Sequence, residues 1–228
     1  RLLWPLIEIK VKKAQLKYMF FYSIPLIPAY LSGIILSQFD RIMINNYLGS
    51  ASAGLYSFTY NLAMLQTLVA TILYSAWIPD YYKYMYNKDY DKHDRDLINL
   101  LKIMALSACC LMSYADLLGK FLSAERYHGS VHLIPVIIMG LFVSSIIPTY
   151  QRHISFMKKT IWTSIIVLFS AILNIILNAL YIPIFGVIAG AYTTLVSYIF
   201  QCIITYLIVK YILKTYTTSP AKLFDLII

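Results

Sequence analysis

The chain has 228 residues, 60% of them hydrophobic and only 13% charged, with a mean hydropathy of +0.70. Soluble domains carry about 25% charged residues, so this composition excludes an ordinary soluble domain and reads as an all-α integral membrane protein. The formal charge of +9 does not point to nucleic acid, because the lysines and arginines sit in short connections between apolar runs.

In chain order, residues 1–17 form the first unit. From Leu6 to Lys17 apolar residues alternate with lysines at loosely helical spacing, which predicts an amphipathic helix on the cytoplasmic membrane surface. A six-helix unit over residues 18–213 follows, with spans near 18–47, 51–78, 97–118, 131–151, 161–182 and 186–209. The run from Thr160 to Val209 holds no charged residue and is long enough for two spans. Its predicted break is Ile182-Pro183-Ile184-Phe185-Gly186, where proline stops a helix and glycine permits the reversal. Between the second and third spans, Pro79 to Asp96 carries five acids, four bases and several tyrosines, and reads as a solvated connection. Residues 214–228 are a cytoplasmic tail or the start of a further segment. The chain begins with Arg1 and has no signal-peptide pattern, so the expectation is a piece of a longer polypeptide.

Sorting the connections by charge gives orientation. Fifteen lysines and arginines fall on one side of the six spans and three, Arg41, Lys120 and Arg126, on the other; Lys102 lies within a span. The positive-inside bias places both termini in the cytoplasm.

No cofactor, metal or enzyme signature is visible. HExxH, GxSxG and a phosphate-binding glycine loop are all missing from the sequence. Cys109, Cys110 and Cys202 lie in apolar spans and read as packing residues. His93, His128, His132 and His153 fall at span ends, where a lone histidine is usually solvated or hydrogen-bonded.

The informative residues are polar groups in the spans. Arg41 and Asn45, four apart, share a helix face, as do Asn174 and Asn178. Asn61 and Gln66 lie in the second span and Gln201 in the sixth. Amides in lipid must find partners, so each is either interhelical glue or part of a polar substrate path. Lys102 sits near the cytoplasmic end of the third span, placed to snorkel or to line a cavity. Asp40 and Asp116 are the acids that could couple ion movement. Asp40 lies about 33 Å along a helix begun at Tyr18, near the far edge of the hydrocarbon core. Asp40 and Arg41 point apart as i and i+1, so each needs another partner. Tyr56, Tyr60 and Tyr192, also within spans, need partners for their hydroxyls.

Asp40-Arg41-Ile42-Met43-Ile44, Leu48-Gly49, Ala53-Gly54-Leu55-Tyr56-Ser57 and Tyr60 resemble the polysaccharide flippases (Wzx-like) of the multidrug/oligosaccharidyl-lipid/polysaccharide exporter (MOP) superfamily. Ile24-Pro25-Leu26-Ile27-Pro28 and Leu31-Ser32-Gly33 resemble the family's lead-in to that stretch. Tyr127, the run through Pro135 and Lys158-Lys159-Thr160 are similar to the segment around its tenth helix. Leu173-Asn174, Asn178, Ile182-Pro183, Gly186 and Gly190-Ala191 resemble its closing hairpin. The resemblance runs in order along almost the whole chain and implies the C-terminal lobe, the seventh to twelfth helices, of a two-lobe transporter. It implies a lipid-linked oligosaccharide substrate in contact with membrane lipids, flipped for O-antigen or capsule synthesis, and an N-terminal six-helix lobe from the same polypeptide or a second subunit. Arg41, Asn45, Asn61, Gln66, Lys102, Asn174 and Asn178 are then the substrate-path candidates. A drug antiporter of the same superfamily, or a non-transporting scaffold or flippase remnant, remains the alternative.

Overall fold

The structure, a computed structural model, describes residues 13–24, 26–219 and 222. The predicted amphipathic segment falls mostly on residues 1–12 and lies outside the described residues. Its last residues open the first helix, α1 (Lys13–Ser23).

The described residues are helical almost throughout, with no strand among them. After α1 come α2 (Leu26–Leu48), α3 (Ser50–Ala63), α4 (Leu65–Asn87), α5 (Tyr90–Ser113) and the short α6 (Ala115–Phe121). A 3-10 segment, Glu125–Leu133, leads into α7 (Ile134–Phe156), followed by α8 (Ile161–Phe185) and α9 (Val187–Leu207). A π turn, Ile208–Ile212, ends the last helix.

Among the described residues, five stretches are long and apolar enough to cross a membrane: Ser50–Asn87, Tyr90–Ser113, Glu125–Phe156, Ile161–Phe185 and Val187–Ile212. The region read as the first span is not among them, because every stretch of α2 long enough to span includes Gln38, Asp40 and Arg41. It nonetheless packs within the same bundle, against α3, α8 and α9.

The packing follows from sequence spacing. On α4, Ala70, Tyr74, Trp77, Tyr81 and Met85 form one buried stripe at three- and four-residue intervals. It meets Leu97, Leu100, Leu101 and Met104, the matching stripe of α5. A second cluster joins Met43 and Ile44 of α2 with Tyr56 and Tyr60 of α3, Ile137, Ile138 and Leu141 of α7, and Ala189 and Ala191 of α9. The outward faces carry large exposed apolar residues such as Ile72, Leu106 and Ile184, the pattern of helices solvated by acyl chains.

Two proline readings need correction. Pro79 and Pro183 both lie inside helices. Proline removes one backbone donor and crowds the preceding turn, costs that packing against neighbouring helices can offset in a membrane bundle. α4 therefore runs on to Asn87 and α5 starts at Tyr90, so most of the supposed solvated connection from Pro79 to Asp96 is helix, with Tyr81, Met85, His93 and Asp94 buried. At the other site the reversal belongs to Gly186 alone, at φ 73° and ψ −154°. A side chain is strained there. Replacing Gly186 by Ala should cost about 1–3 kcal/mol, seen as a lower unfolding temperature in detergent. Gly54→Ala, within α3 where an added Cβ meets nothing within 4 Å, should leave that temperature unchanged or raise it.

Candidate functional site

Asp40 is fully buried where α2, α3 and α9 meet, not at a lipid-exposed edge. The helix spacing that turns Leu36, Asp40, Met43 and Ile44 inward carries the acid with them. A buried acid must be held by other groups. Tyr56 Oη, from α3, donates to Asp40 Oδ2 at 2.6 Å, and the Arg41 backbone N–H donates to Oδ1 at 2.7 Å. Gly190 lets α9 close on this junction: a Cβ there would meet Ile44 Cδ1 at 3.1 Å and Tyr56 Cε2 at 3.7 Å.

Arg41 points away from its neighbour. Its Nη1 donates to Gln38 Oε1 at 2.7 Å, and its guanidinium lies 4.6 Å from the Tyr60 ring centroid, a cation–π contact. Its Nε and Nη2 are buried without a hydrogen-bond partner. Beyond Tyr60, the hydroxyl of Tyr198 on α9 shares a hydrogen bond with the Tyr60 hydroxyl.

Tyr198 also lines a cleft of about 710 Å³ walled by α2, α7, α8 and α9. Its polar lining comprises Ser37 from α2, Ser144, Gln151 and Ser155 from α7, Thr163 from α8, and Gln201 with Tyr198 from α9. Residues 144, 151 and 155, like 198 and 201, fall on one helix face at three-, four- and seven-residue intervals. That spacing is the signal that could have singled them out in the sequence, where of this group only Gln201 stood out.

The other sequence candidates divide. Gln66 is fully buried and ties α4 to α5: Nε2 donates to the Met104 carbonyl at 3.1 Å, and Oε1 accepts Ser107 Oγ at 3.0 Å. Asn174 and Asn178 are fully buried between α8 and α9. Asn178 Nδ2 donates to Asn174 Oδ1 at 3.0 Å, Asn174 Nδ2 to Thr194 Oγ1 at 3.2 Å, and the Thr193 hydroxyl to Asn178 Oδ1. These three amides serve as interhelical glue. Asn45, Asn61 and Lys102 are exposed on the outside of the bundle. Asp116, 70% exposed, pairs with Lys120 one turn on at 2.7 Å and lies apart from Asp40.

A second polar cluster occupies the far end of α4, α5 and α7. His93 and His153 are buried, with ring centroids 5.8 Å apart, between Trp77 and Tyr81. Tyr81 Oη lies 3.1 Å from His153 Nδ1, and Asp94 Oδ1 lies 3.3 Å from His93 Nδ1. The chain after the π turn folds back over them. Thr218 Oγ1 and Lys222 Nζ donate to the Asp94 carboxylate at 2.6 and 2.7 Å, and Tyr216 stacks on Tyr90 at 3.9 Å. The bond to Asp94 raises the pKa of Lys222. Of the four histidines expected to be solvated or hydrogen-bonded at span ends, His93 and His153 are hydrogen-bonded interior groups, because α4 and α5 extend past the predicted spans and the returning chain covers them, while His132 is exposed.

Residues 4–85 match the family model described as polysaccharide biosynthesis protein. No curated protein matches the chain. A solved structure described as the outward-facing conformation of a multidrug resistance MATE family transporter of the MOP superfamily is similar, with a TM-score of 0.62 at 17% identity, over 92% of this chain. The chain shares the fold of that structure. The chain spans 50% of the length of that structure, and the family match bears out the resemblance to the superfamily's polysaccharide flippases.

The Asp40–Tyr56 bond should carry coupling energy. Asp40→Asn and Tyr56→Phe should each lower the unfolding temperature in detergent, and the double variant should lose less than the sum, leaving a coupling of about 1–2 kcal/mol.

Proposed function

We propose that the complete protein flips a lipid-linked oligosaccharide across the cytoplasmic membrane by alternating access between two lobes, in the assembly of a surface polysaccharide such as O-antigen or capsule. This chain forms the six-helix lobe over residues 18–213, and the other lobe comes from the same polypeptide or a second subunit. The observation that carries the reading is the polar cleft leading through Tyr198 and Tyr60 to Arg41 and Asp40. A headgroup crossing a bilayer needs hydrogen-bonding groups at membrane depth, while its lipid tail stays among acyl chains. The family match over residues 4–85, to a model described as polysaccharide biosynthesis protein, supports the substrate class.

Arg41 supplies the positive charge beside the path, and its free Nε and Nη2 are available to a phosphate oxygen when the bundle opens. Asn45, Asn61 and Lys102, exposed on the lobe's surface, are placed to meet headgroups or the opposing lobe. Asp40 is the group proposed for ion coupling. Asp116 is the weaker candidate, being exposed and paired locally.

Buried Asp40 gives a second reading its specific support: a small-molecule antiporter of the same superfamily, since an acid enclosed within the bundle is what cation exchange requires. Surface glycan separates the two. In a strain lacking the chromosomal gene, the full-length protein should restore surface polysaccharide, and Arg41→Ala at equal expression should reduce it severalfold. Undiminished glycan with Arg41→Ala would remove Arg41 from the path, and unchanged glycan in the deletion strain would favour the antiporter. For orientation, cysteines placed at Lys88 and Lys158 should react with a membrane-impermeant thiol reagent only after permeabilisation, and one at Arg126 in intact cells.

A further inference from the structure

The composition of the cleft wall narrows what it can hold. We propose that this cleft is a subsite for the uncharged sugar portion of the substrate and not for its phosphates; the proposal rests on the flippase reading above. Among the described residues lining it, none is Asp, Glu, Lys or Arg. Most of them lie in the interior of α2, α7, α8 or α9, where backbone N–H groups are committed to helix bonds; Leu26 and Thr163 sit in the first turns of α2 and α8. Arg41 is not among them; it lies one turn beyond Ser37 on α2, engaged with Gln38 and Tyr60. A phosphate would find no cationic side chain in this wall.

What the wall offers suits a sugar. Gln151 of α7 and Gln201 of α9 both line the cleft, and each amide can both donate and accept. The Ser37 and Ser144 hydroxyls spend their protons on the Ile34 and Leu141 carbonyls of their own helices, leaving oxygen lone pairs to accept. Thr163 Oγ1 is buried in the wall with no hydrogen-bond partner. A sugar ring presents hydroxyls that donate and accept in the same plane, and C–H faces that fit apolar or aromatic surface. Tyr30, Ile34 and Val167 supply that surface between the polar groups. The volume of about 710 Å³ lies within the usual range for small-molecule pockets, about 300–1,000 Å³.

The test uses the full-length protein in nanodiscs and two synthetic probes: a polyprenyl pyrophosphate carrying one N-acetylglucosamine, and the same lipid without the sugar. Gln151→Ala combined with Gln201→Ala should weaken binding of the glycosylated lipid about tenfold and leave the sugar-free lipid unchanged, which also reports that the variant is folded. Ser37→Ala with Ser155→Ala should show the same selective loss to a smaller degree. Equal loss of both lipids, or no loss of either, overturns the sugar subsite while the flippase reading stands. Wild-type protein that binds neither lipid overturns the flippase reading and this subsite with it.

Discussion

An acid enclosed by helices in an apolar protein has no solvent to fall back on, and here a single tyrosine supplies what water would. Tyr56 reaches from α3 to Asp40 at 2.6 Å, and that bond fixes how α2 and α3 meet. With Tyr56 turned inward, Tyr60 one turn along faces the same way, its ring under Arg41 and its hydroxyl on Tyr198. Gly190 sits close against this pair, since a Cβ there would press on Ile44 Cδ1 at 3.1 Å and touch the Tyr56 ring at 3.7 Å. One buried charge thus sets the positions of three helices. Removing its partner would leave the acid uncompensated, which costs more than the bond itself contributes.

The remaining buried polar groups divide into saturated and open ones, and the division maps function onto structure. Gln66, Asn174 and Asn178 satisfy one another or nearby hydroxyls and carbonyls, so they hold α4 to α5 and α8 to α9. An amide engaged in this way has little left to offer a substrate. Gln151 and Gln201 differ because they line the cleft. At the same end of α7 as Gln151, Trp77, His93 and His153 form an aromatic plug under the returning chain, with Asp94 as its clasp. That plug keeps the ends of α4, α5 and α7 together while the cleft side stays open.

The elements were legible because helix periodicity is a local property. The pairing of Asn174 with Asn178, the separate partners of Asp40 and Arg41, and the reversal near Gly186 all follow from residues within a turn or two of each other. The prolines misled for the same reason. Read locally, Pro79 and Pro183 stop a helix, yet the α4 stripe of Trp77, Tyr81 and Met85, packed against α5, stabilises the continuation past the first, a tertiary term that outweighs one missing bond. The site itself was least legible. Tyr198 is an ordinary aromatic in an apolar run until α9 is placed against α3, and Gln151 and Ser155 read as a polar span end until α7 is set beside α8. His93 and His153 meet only because α5 and α7 are neighbours. Contacts between distant segments carry no periodic signature, so they appear only once the helices are packed.

The absence of charge in the cleft has a mechanical consequence for a carrier. A site that must release its cargo on the far side cannot hold it too well, and binding has to be favourable enough to enter yet weak enough to leave. A hydrogen bond to a hydroxyl or amide contributes about 0.5–1.5 kcal/mol net, whereas one to a charged group contributes about 1.5–3 kcal/mol. A wall of amides and hydroxyls can therefore add affinity in small steps and give it up in small steps as the helices move. Arg41, stacked on Tyr60 and tied to Gln38, keeps the one strong interaction of this region behind the tyrosines. On the flippase reading proposed above, helix movement that opens the Tyr60–Tyr198 contact would offer the unpartnered Nε and Nη2 of Arg41 to an anionic headgroup and withdraw them again.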